Sequence, residues 1–309
     1  GVTPPELPED FSCGVYRKFV KIDDINKNFI ITFLGVAASL DLYVNGQYVG
    51  YGEGSHNSYE FDITKYLVEG DNEIVAVVFR WTNGSYLEAQ DMFRENGIFR
   101  DVLLHKYEKT YIYDYEAIPV KKGNKYNLNV KLDVKGDLKN KKIEVALHDG
   151  AKFITTKTVE AENKIELTLE NLDVLEWSAE IPNLYQLFIT LYDGKNETMT
   201  IRSFTGFKDI KIKNAVFYFN GKKVKLKGVN HHDTSAVNGW YMTDEEMLYD
   251  LKQMKKLNIN CIRTSHYPPH PKFVNLCDER GFYVMLEADL EAHGFYYRQR
   301  TCGYDVITN

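Results

Sequence analysis

Side chains able to do acid–base or metal chemistry are concentrated in three short stretches: Asn230-His-His-Asp233, Arg263-Thr-Ser-His-Tyr267 and Glu287-Ala-Asp-Leu-Glu-Ala-His293. Five of the eight histidines fall between His231 and His293, and each stretch comes at the end of a run of apolar, β-forming residues. Polar groups delivered by the ends of successive strands are how β/α barrels assemble an active site on one face. The convergence carries this reading, because a lone histidine after a strand is more often a hydrogen-bonded turn residue. His270, between Pro269 and Pro271, is read as such a turn residue.

By spacing, Glu291 and His293 offer one oxygen and one nitrogen to a divalent ion, although Mg²⁺ asks for more oxygens and several waters. Glu287 and Glu291 are conceivable as the acid and nucleophile of a retaining glycosidase, whose carboxyls stand roughly 5 to 5.5 Å apart. Two carboxylates four residues apart in one loop leave little room for a sugar between them, so this pairing ranks below the metal reading. Arg263 is expected to pair with Glu287 and hold the barrel mouth in shape, a role at least as well founded as substrate contact.

The elements that must position these groups follow from periodicity. A strand over 224–229 is followed by Thr243-Asp-Glu-Glu246, a capping box in which side chains satisfy orphan amides at a helix start. Met247, Leu248, Leu251 and Met254 form the apolar stripe of that helix, to about residue 257. A strand over 259–264 comes next, then a helix that Pro271 opens and Gly281 ends, then a strand over 282–287. This is β-α-β-α-β with right-handed crossovers. Three such units in residues 205–309 match the first three of an eight-unit TIM barrel, which needs about 250 residues. The barrel is therefore read as truncated, the chain as a fragment or ordered part of a longer polypeptide, and the third strand as leaving an apolar edge.

Residues 1–108 begin with a Pro-rich arm and continue as short strands over 15–22, 29–34, 40–44, 47–51, 58–61, 73–81 and 98–105. Asn45-Gly46 is a type I′ hairpin signal. Turn signals about every ten residues and almost no helix describe a jelly-roll β-sandwich. Its loop over 84–97 is neither alternating nor helical, yet carries Glu88, Asp91, Arg94 and Glu95 among aromatics. Residues 109–204 restart the two-residue period over 111–115, 126–134, 142–148, 164–169 and 187–192. They read as an immunoglobulin-like β-sandwich serving as a spacer.

Composition narrows the partners. The net charge of −6 is spread along the chain without a basic block, which argues against nucleic acid. Cys13, Cys261, Cys277 and Cys302 form neither a C-x-x-C pair nor a disulfide framework, so free thiols in a reducing, cytoplasmic setting are expected. No apolar run approaches the roughly 20 residues of a membrane span, and residues 1–8 lack the pattern of a secretion signal. Aromatic residues make up 14% of the chain, which suits wide β surfaces first and carbohydrate clefts second.

Leu226-Lys-Gly-Val-Asn-His-His232, Ile262-Arg-Thr-Ser-His-Tyr-Pro-Pro-His-Pro271, Leu276-Cys-Asp-Glu-Arg-Gly281 and Leu290-Glu-Ala-His-Gly294 together resemble glycoside hydrolase family 2, and within it the bacterial β-galactosidases. The stretch from Ser85 through Gln90-Asp-Met-Phe-Arg94 to Val102 resembles the first-domain signature of the same family. The similarity covers essentially the whole chain. It implies the order jelly roll, immunoglobulin-like sandwich, catalytic barrel, and hydrolysis of terminal β-D-galactosides with retention. The Arg-x-Ser-His-Tyr element is shared with β-glucuronidases and β-mannosidases, whereas the Glu-x-His-Gly tail and the Gln-Asp-Met-(aromatic)-Arg loop select galactosidase.

Carried over by motif, the resemblance implies that Glu291 and His293 are two ligands of an active-site Mg²⁺. It implies that His232 and His266 contact the sugar, and that Asp91 reaches from the first domain to the galactose and a Na⁺ ion. It also exposes departures. Leu286 and Asp289 stand where the family usually has Asp and Asn. The acid/base and nucleophile glutamates find no counterpart before Asn309, so no catalytic carboxylate is assigned and these residues alone are expected to be inactive. A homo-oligomer, a non-catalytic carbohydrate-binding module and a subunit that complements another chain all remain open.

Overall fold

Alternating burial builds the first layer. In Gly70–Phe79 the side chains of Asn72, Ile74, Ala76 and Val78 are buried and their neighbours are not, the two-residue period of a half-buried strand. The computed structural model, which describes residues 8, 9 and 11–291, sets this strand in an antiparallel sheet. The order is Cys13–Ile22, Gly70–Phe79, Ser39–Val44, Gln47–Glu53. A second antiparallel sheet, Tyr59–Asp62, Asn28–Phe33, Val102–Tyr107, faces it, and Phe33, Leu40, Leu42 and Ile63 pack the space between. Asn45 and Gly46 both take positive φ, 50° and 75°, as a type I′ turn requires. This is the jelly-roll sandwich.

The immunoglobulin-like sandwich follows. Lys125–Lys135 alternates strictly, burying Tyr126, Leu128, Val130, Leu132 and Val134. It lies between Tyr111–Lys122 and Lys164–Leu172. The facing sheet has the order Lys152–Glu160, Lys141–Asp149, Tyr185–Asp193, Asn196–Thr205. Its two outer strands are absent from the sequence reading because as edges they bury little: Lys152–Glu160 has no fully buried residue, so its composition shows no apolar alternation. The strand from Tyr111 also runs on to Lys122 instead of ending at 115. Pro119 is tolerated there because this strand is an edge, where a missing amide breaks few ladder bonds.

Three parallel strands, Gly228–His231, Cys261–Thr264 and Tyr283–Met285, form the start of a TIM barrel. They are joined by helices α1 (Asp244–Lys256) and α2 (Pro271–Arg280). The capping box is present: the Thr243 amide donates to the Glu246 carboxylate at 2.8 Å, and the Glu246 amide to Thr243 Oγ1 at 3.2 Å. The first strand starts at Gly228, not at 224. The Asn260 side chain instead accepts from the Lys227 amide at 2.8 Å and donates to the Lys225 carbonyl at 3.2 Å, and one backbone bond, from the Asn260 amide to the Lys227 carbonyl at 3.0 Å, precedes the ladder. Ile262, Phe273, Cys277 and Phe282 are buried between the helices and the sheet. Met285 and Leu286 on the third strand and just after it are 51% and 63% exposed, the apolar edge that the pattern leads one to expect.

Gly281 ends α2 at φ 75°, and a Cβ there would collide with the Ala179 carbonyl oxygen. Glycine thus both stops the helix and lets the second sandwich approach. Trp177 completes that contact, its Nε1 donating to the Asp278 carbonyl at 2.8 Å. Among the described residues no helix is long and apolar enough to cross a membrane, and Cys13, Cys261 and Cys277 are free thiols. Cys302 lies outside the described residues.

Candidate active site

The ends of the three barrel strands meet. His266, after the second strand, places Nδ1 3.0 Å from Glu287 Oε2 after the third, and Arg263 donates to the other oxygen of the same carboxylate. Burial pushes Glu287 up, but the Arg263 and His266 contacts outweigh it and leave the carboxyl below its ordinary range. Arg263 therefore does pair with Glu287. His232, after the first strand, lies edge-to-face with His266, ring centres 5.5 Å apart, and its Nδ1 is 3.3 Å from the Tyr267 hydroxyl. Burial, then the nearby His266 and His231, lower its proton affinity. His231 itself turns to structure: Nε2 is 3.1 Å from Asp250 of α1 and its ring stacks on Phe273. His270 caps α2, Nδ1 accepting from the Lys272 amide at 3.1 Å.

The jelly roll supplies the opposite wall. Its loop is folded back on itself by Arg94, which donates to the carbonyls of Ser85 and Glu88. Its backbone pairs with the barrel: the Glu291 amide donates to Leu87 O and the Ala89 amide to Glu291 O, each at 2.7 Å. Further along, Glu95 accepts from the Trp240 amide at 2.9 Å. The result is a cleft of about 1110 Å³ whose lining includes Asp91, Phe93, Glu95, His232, Trp240 and Tyr267. A smaller cavity of about 350 Å³ behind Trp177, Phe219 and Tyr283 is mainly apolar and holds neither a histidine nor a carboxylate from a strand end.

Behind the cleft wall lies a buried network that the sequence reading lacks. Asp289 accepts from the His56 amide at 2.9 Å, sits 3.2 Å from His56 Nδ1, and accepts from Gln90 Nε2 at 2.9 Å. Burial lowers the proton affinity of His56. Burial raises that of Asp289, but the hydrogen bonds from His56 and Gln90 outweigh it and keep the carboxyl below its usual range. The pair is thus a neutral imidazole donating to a carboxylate. Arg100 reaches from the jelly roll to Asp233 Oδ2 at 3.3 Å and the Pro268 carbonyl at 3.0 Å. The partners are more than a hundred positions apart in the chain, so no local pattern announces them.

Of the residues singled out by motif, Asp91 and His232 line the cleft together, and His266 is beside His232. Glu291 is half-buried with its backbone fixed. His293 lies outside the described residues. Among the described residues no three His, Cys, Asp or Glu side chains converge on a metal position. Glu291 offers the carboxylate oxygen that Mg²⁺ favours, so it fits as one ligand within a larger set. Asp91, exposed on the cleft wall, is an oxygen donor suited to Na⁺.

Glu88 is 6% exposed and accepts from the Ser55 amide at 2.9 Å and hydroxyl at 2.5 Å. Burial first, and the Asp289 charge second, push it from 4.5 up to about 7. The folded protein holds this proton more tightly than the unfolded chain does. The stability it contributes is full below the unfolded value and is lost as pH rises through about 7. Glu88→Gln is expected to remove that decline and to be the more stable protein at about pH 8. Urea midpoints across pH would show it, and identical pH profiles for the two proteins would refute it.

Comparisons with known proteins agree along the whole chain. Three family descriptions match in order: "Glycosyl hydrolases family 2, sugar binding domain" over residues 1–108, "Glycosyl hydrolases family 2" over 110–208, and "Glycosyl hydrolases family 2, TIM barrel domain" over 210–309. A β-galactosidase of Streptococcus thermophilus is 39% identical over 97% of this chain and 30% of its own length. The chain thus spans about 30% of the length of the curated relatives it matches. Among solved structures, a β-glycosidase from Bacteroides vulgatus superposes with a TM-score of 0.80 at 28% identity, covering 89% of this chain and 36% of that one. A β-glucuronidase from Ruminococcus gnavus gives 0.82 at 21% identity over 92% of this chain and 51% of that one, a likeness of fold alone.

Proposed function

Because the chain belongs to glycosyl hydrolase family 2, we propose that it is the N-terminal portion of a β-galactosidase that hydrolyses terminal β-D-galactosides with retention. The observation that carries this reading is the docking of the 84–97 loop. Its 87–89 backbone is paired with Glu291 and its Gln90 is bonded to Asp289, which sets Asp91 on the cleft shared with His232. That loop carries the Gln-Asp-Met-(aromatic)-Arg pattern that distinguishes galactosidases from their relatives.

In this reading His232 and His266 hold sugar hydroxyls. Asp91 closes the sugar from the jelly-roll side and gives an oxygen to Na⁺. Glu291 and His293 hold Mg²⁺, which when bound supplies positive charge that tunes the proton affinity of a neighbouring carboxyl. Hydrogen bonds that tighten as the sugar becomes oxocarbenium-like lower the barrier. The two glutamates that act as acid/base and nucleophile are placed beyond Asn309. The protein is proposed to work in the cytoplasm, as a homo-oligomer or with a complementing subunit.

A panel of nitrophenyl β-D-galactoside, β-D-glucuronide and β-D-mannoside tests the reading. The full-length protein is expected to prefer the galactoside by an order of magnitude or more in kcat/KM, and the 309-residue chain to give no turnover. Preference for another sugar would overturn the substrate. Turnover by the chain alone would overturn the placing of the glutamates.

A further inference from the structure

Along 286–291 exposure alternates, residues 286, 288 and 290 being exposed and 287, 289 and 291 partly buried, with a bend at 289 where the Leu290 amide donates to the Ala288 carbonyl at 2.9 Å. Leu286 and Leu290 are 63% and 66% exposed, while 287, 289 and 291 are each anchored. Glu287 is held by Arg263 and His266 of the barrel itself. Glu291 is held through its backbone by 87–89. Between them Asp289 has a side chain only 1% exposed, and all three of its hydrogen-bonding groups belong to the jelly roll: His56 N, His56 Nδ1 and Gln90 Nε2. His56 is itself immobilised, stacked 3.7 Å from the Tyr267 ring and accepting from Arg100 Nη1 at its carbonyl.

We infer that Asp289 is a positioning residue: clamped by His56 and Gln90 of the jelly roll, it fixes the 286–291 segment that carries Glu287 and Glu291. It touches neither sugar nor cation. The first domain thereby becomes part of the support of the barrel's third strand end. The inference deepens the proposed function and rests on it for the meaning of Glu287 and Glu291, but the clamp is a property of the fold. The Gln90 amide adds a specific expectation. Its Oε1 is buried without a partner, so the side chain can turn over and accept from an amide at position 289. Asp289→Asn is therefore tolerated where Asp289→Ala is not.

Hydrogen exchange and kinetics of the full-length protein test this together. In the metal-free protein, Asp289→Ala and His56→Ala are expected to speed amide exchange across 286–291 about tenfold or more while leaving the second sandwich unchanged. The clamp orients the segment that carries Glu291 without bonding its carboxylate, so the Mg²⁺ concentration for half-maximal activity and the KM should rise about tenfold in both variants, the low end of what losing support around a ligand costs. The double variant should do no worse than the worse single one. Asp289→Asn should restore both readouts to within about threefold of wild type. Unchanged exchange in Asp289→Ala overturns the inference, as does a loss of protection spread evenly over the chain, which marks general destabilisation. Exchange that changes as expected in a protein that turns over no galactoside would overturn the proposed function and leave the clamp standing.

Discussion

Arg100→Ala is expected to cost about 3–5 kcal/mol of stability, the usual penalty for removing one partner of a buried ion pair. The Arg100 side chain is 3% exposed and that of Asp233 4%. One guanidinium joins four acceptors from both sides of the domain boundary: the Leu34 and His56 carbonyls in the jelly roll, and Asp233 Oδ2 and the Pro268 carbonyl in the barrel. Without it, Asp233 remains buried with no hydrogen bond on Oδ1, His231 Nδ1 standing 3.7 Å away, and only the His270 amide on Oδ2. The loss comes chiefly from leaving the Asp233 charge buried and unpaired, so Arg100→Met with Asp233→Leu should recover part of it, short of the three carbonyls and the His270 amide left without partners. Urea titration followed by tryptophan fluorescence measures both. A loss below about 1 kcal/mol for Arg100→Ala, the scale of an exposed pair, would show that water reaches the interface.

Which parts of this fold can be read from residues alone follows from how local their causes are. Asn45-Gly46, the Thr243–Glu246 box and the Pro271-to-Gly281 helix are set by contacts within a few positions, and all three are in the structure. Burial period suffices for central strands such as Lys125–Lys135. It fails for an edge strand that buries little, as Lys152–Glu160 shows, and holds for one that buries a face, such as Lys164–Leu172. It misleads over 224–227, where Val, Lys, Leu, Lys alternates like a strand although the partner ladder begins only at Cys261.

The site divides in the same way. His232, His266 and the Arg263–Glu287 pair follow strand ends, so a correct placing of the strands brings them together. Glu88, His56, Arg100 and Asp289 act across the boundary between domains, and their types have ordinary surface explanations until the two walls are assembled. One faint signal was available: the position of Asp289, where the family usually carries Asn. A charge at that place calls for donors, and the structure provides them from His56 and Gln90.

His232→Phe and His266→Phe in the full-length protein are each expected to lower kcat/KM on a nitrophenyl β-galactoside by about 10²- to 10³-fold, the range for losing one group aimed at developing charge. Phenylalanine keeps a ring in the edge-to-face contact and removes only the nitrogens. In His266 the contact of Nδ1 with the Glu287 carboxylate requires that nitrogen to carry the proton, and the Arg263 guanidinium beside it offers no acceptor. In His232 the Tyr267 hydroxyl occupies Nδ1. Each imidazole is thus fixed through Nδ1 and keeps Nε2 for a ligand, which is the condition for a hydrogen bond that is already oriented when the sugar's charge develops. The division between kcat and KM decides what the two rings do. A fall mainly in kcat means that they favour the transition state over the bound substrate. A rise in KM with kcat unchanged means that they hold ground and transition state alike, and the transition-state role would have to be given up.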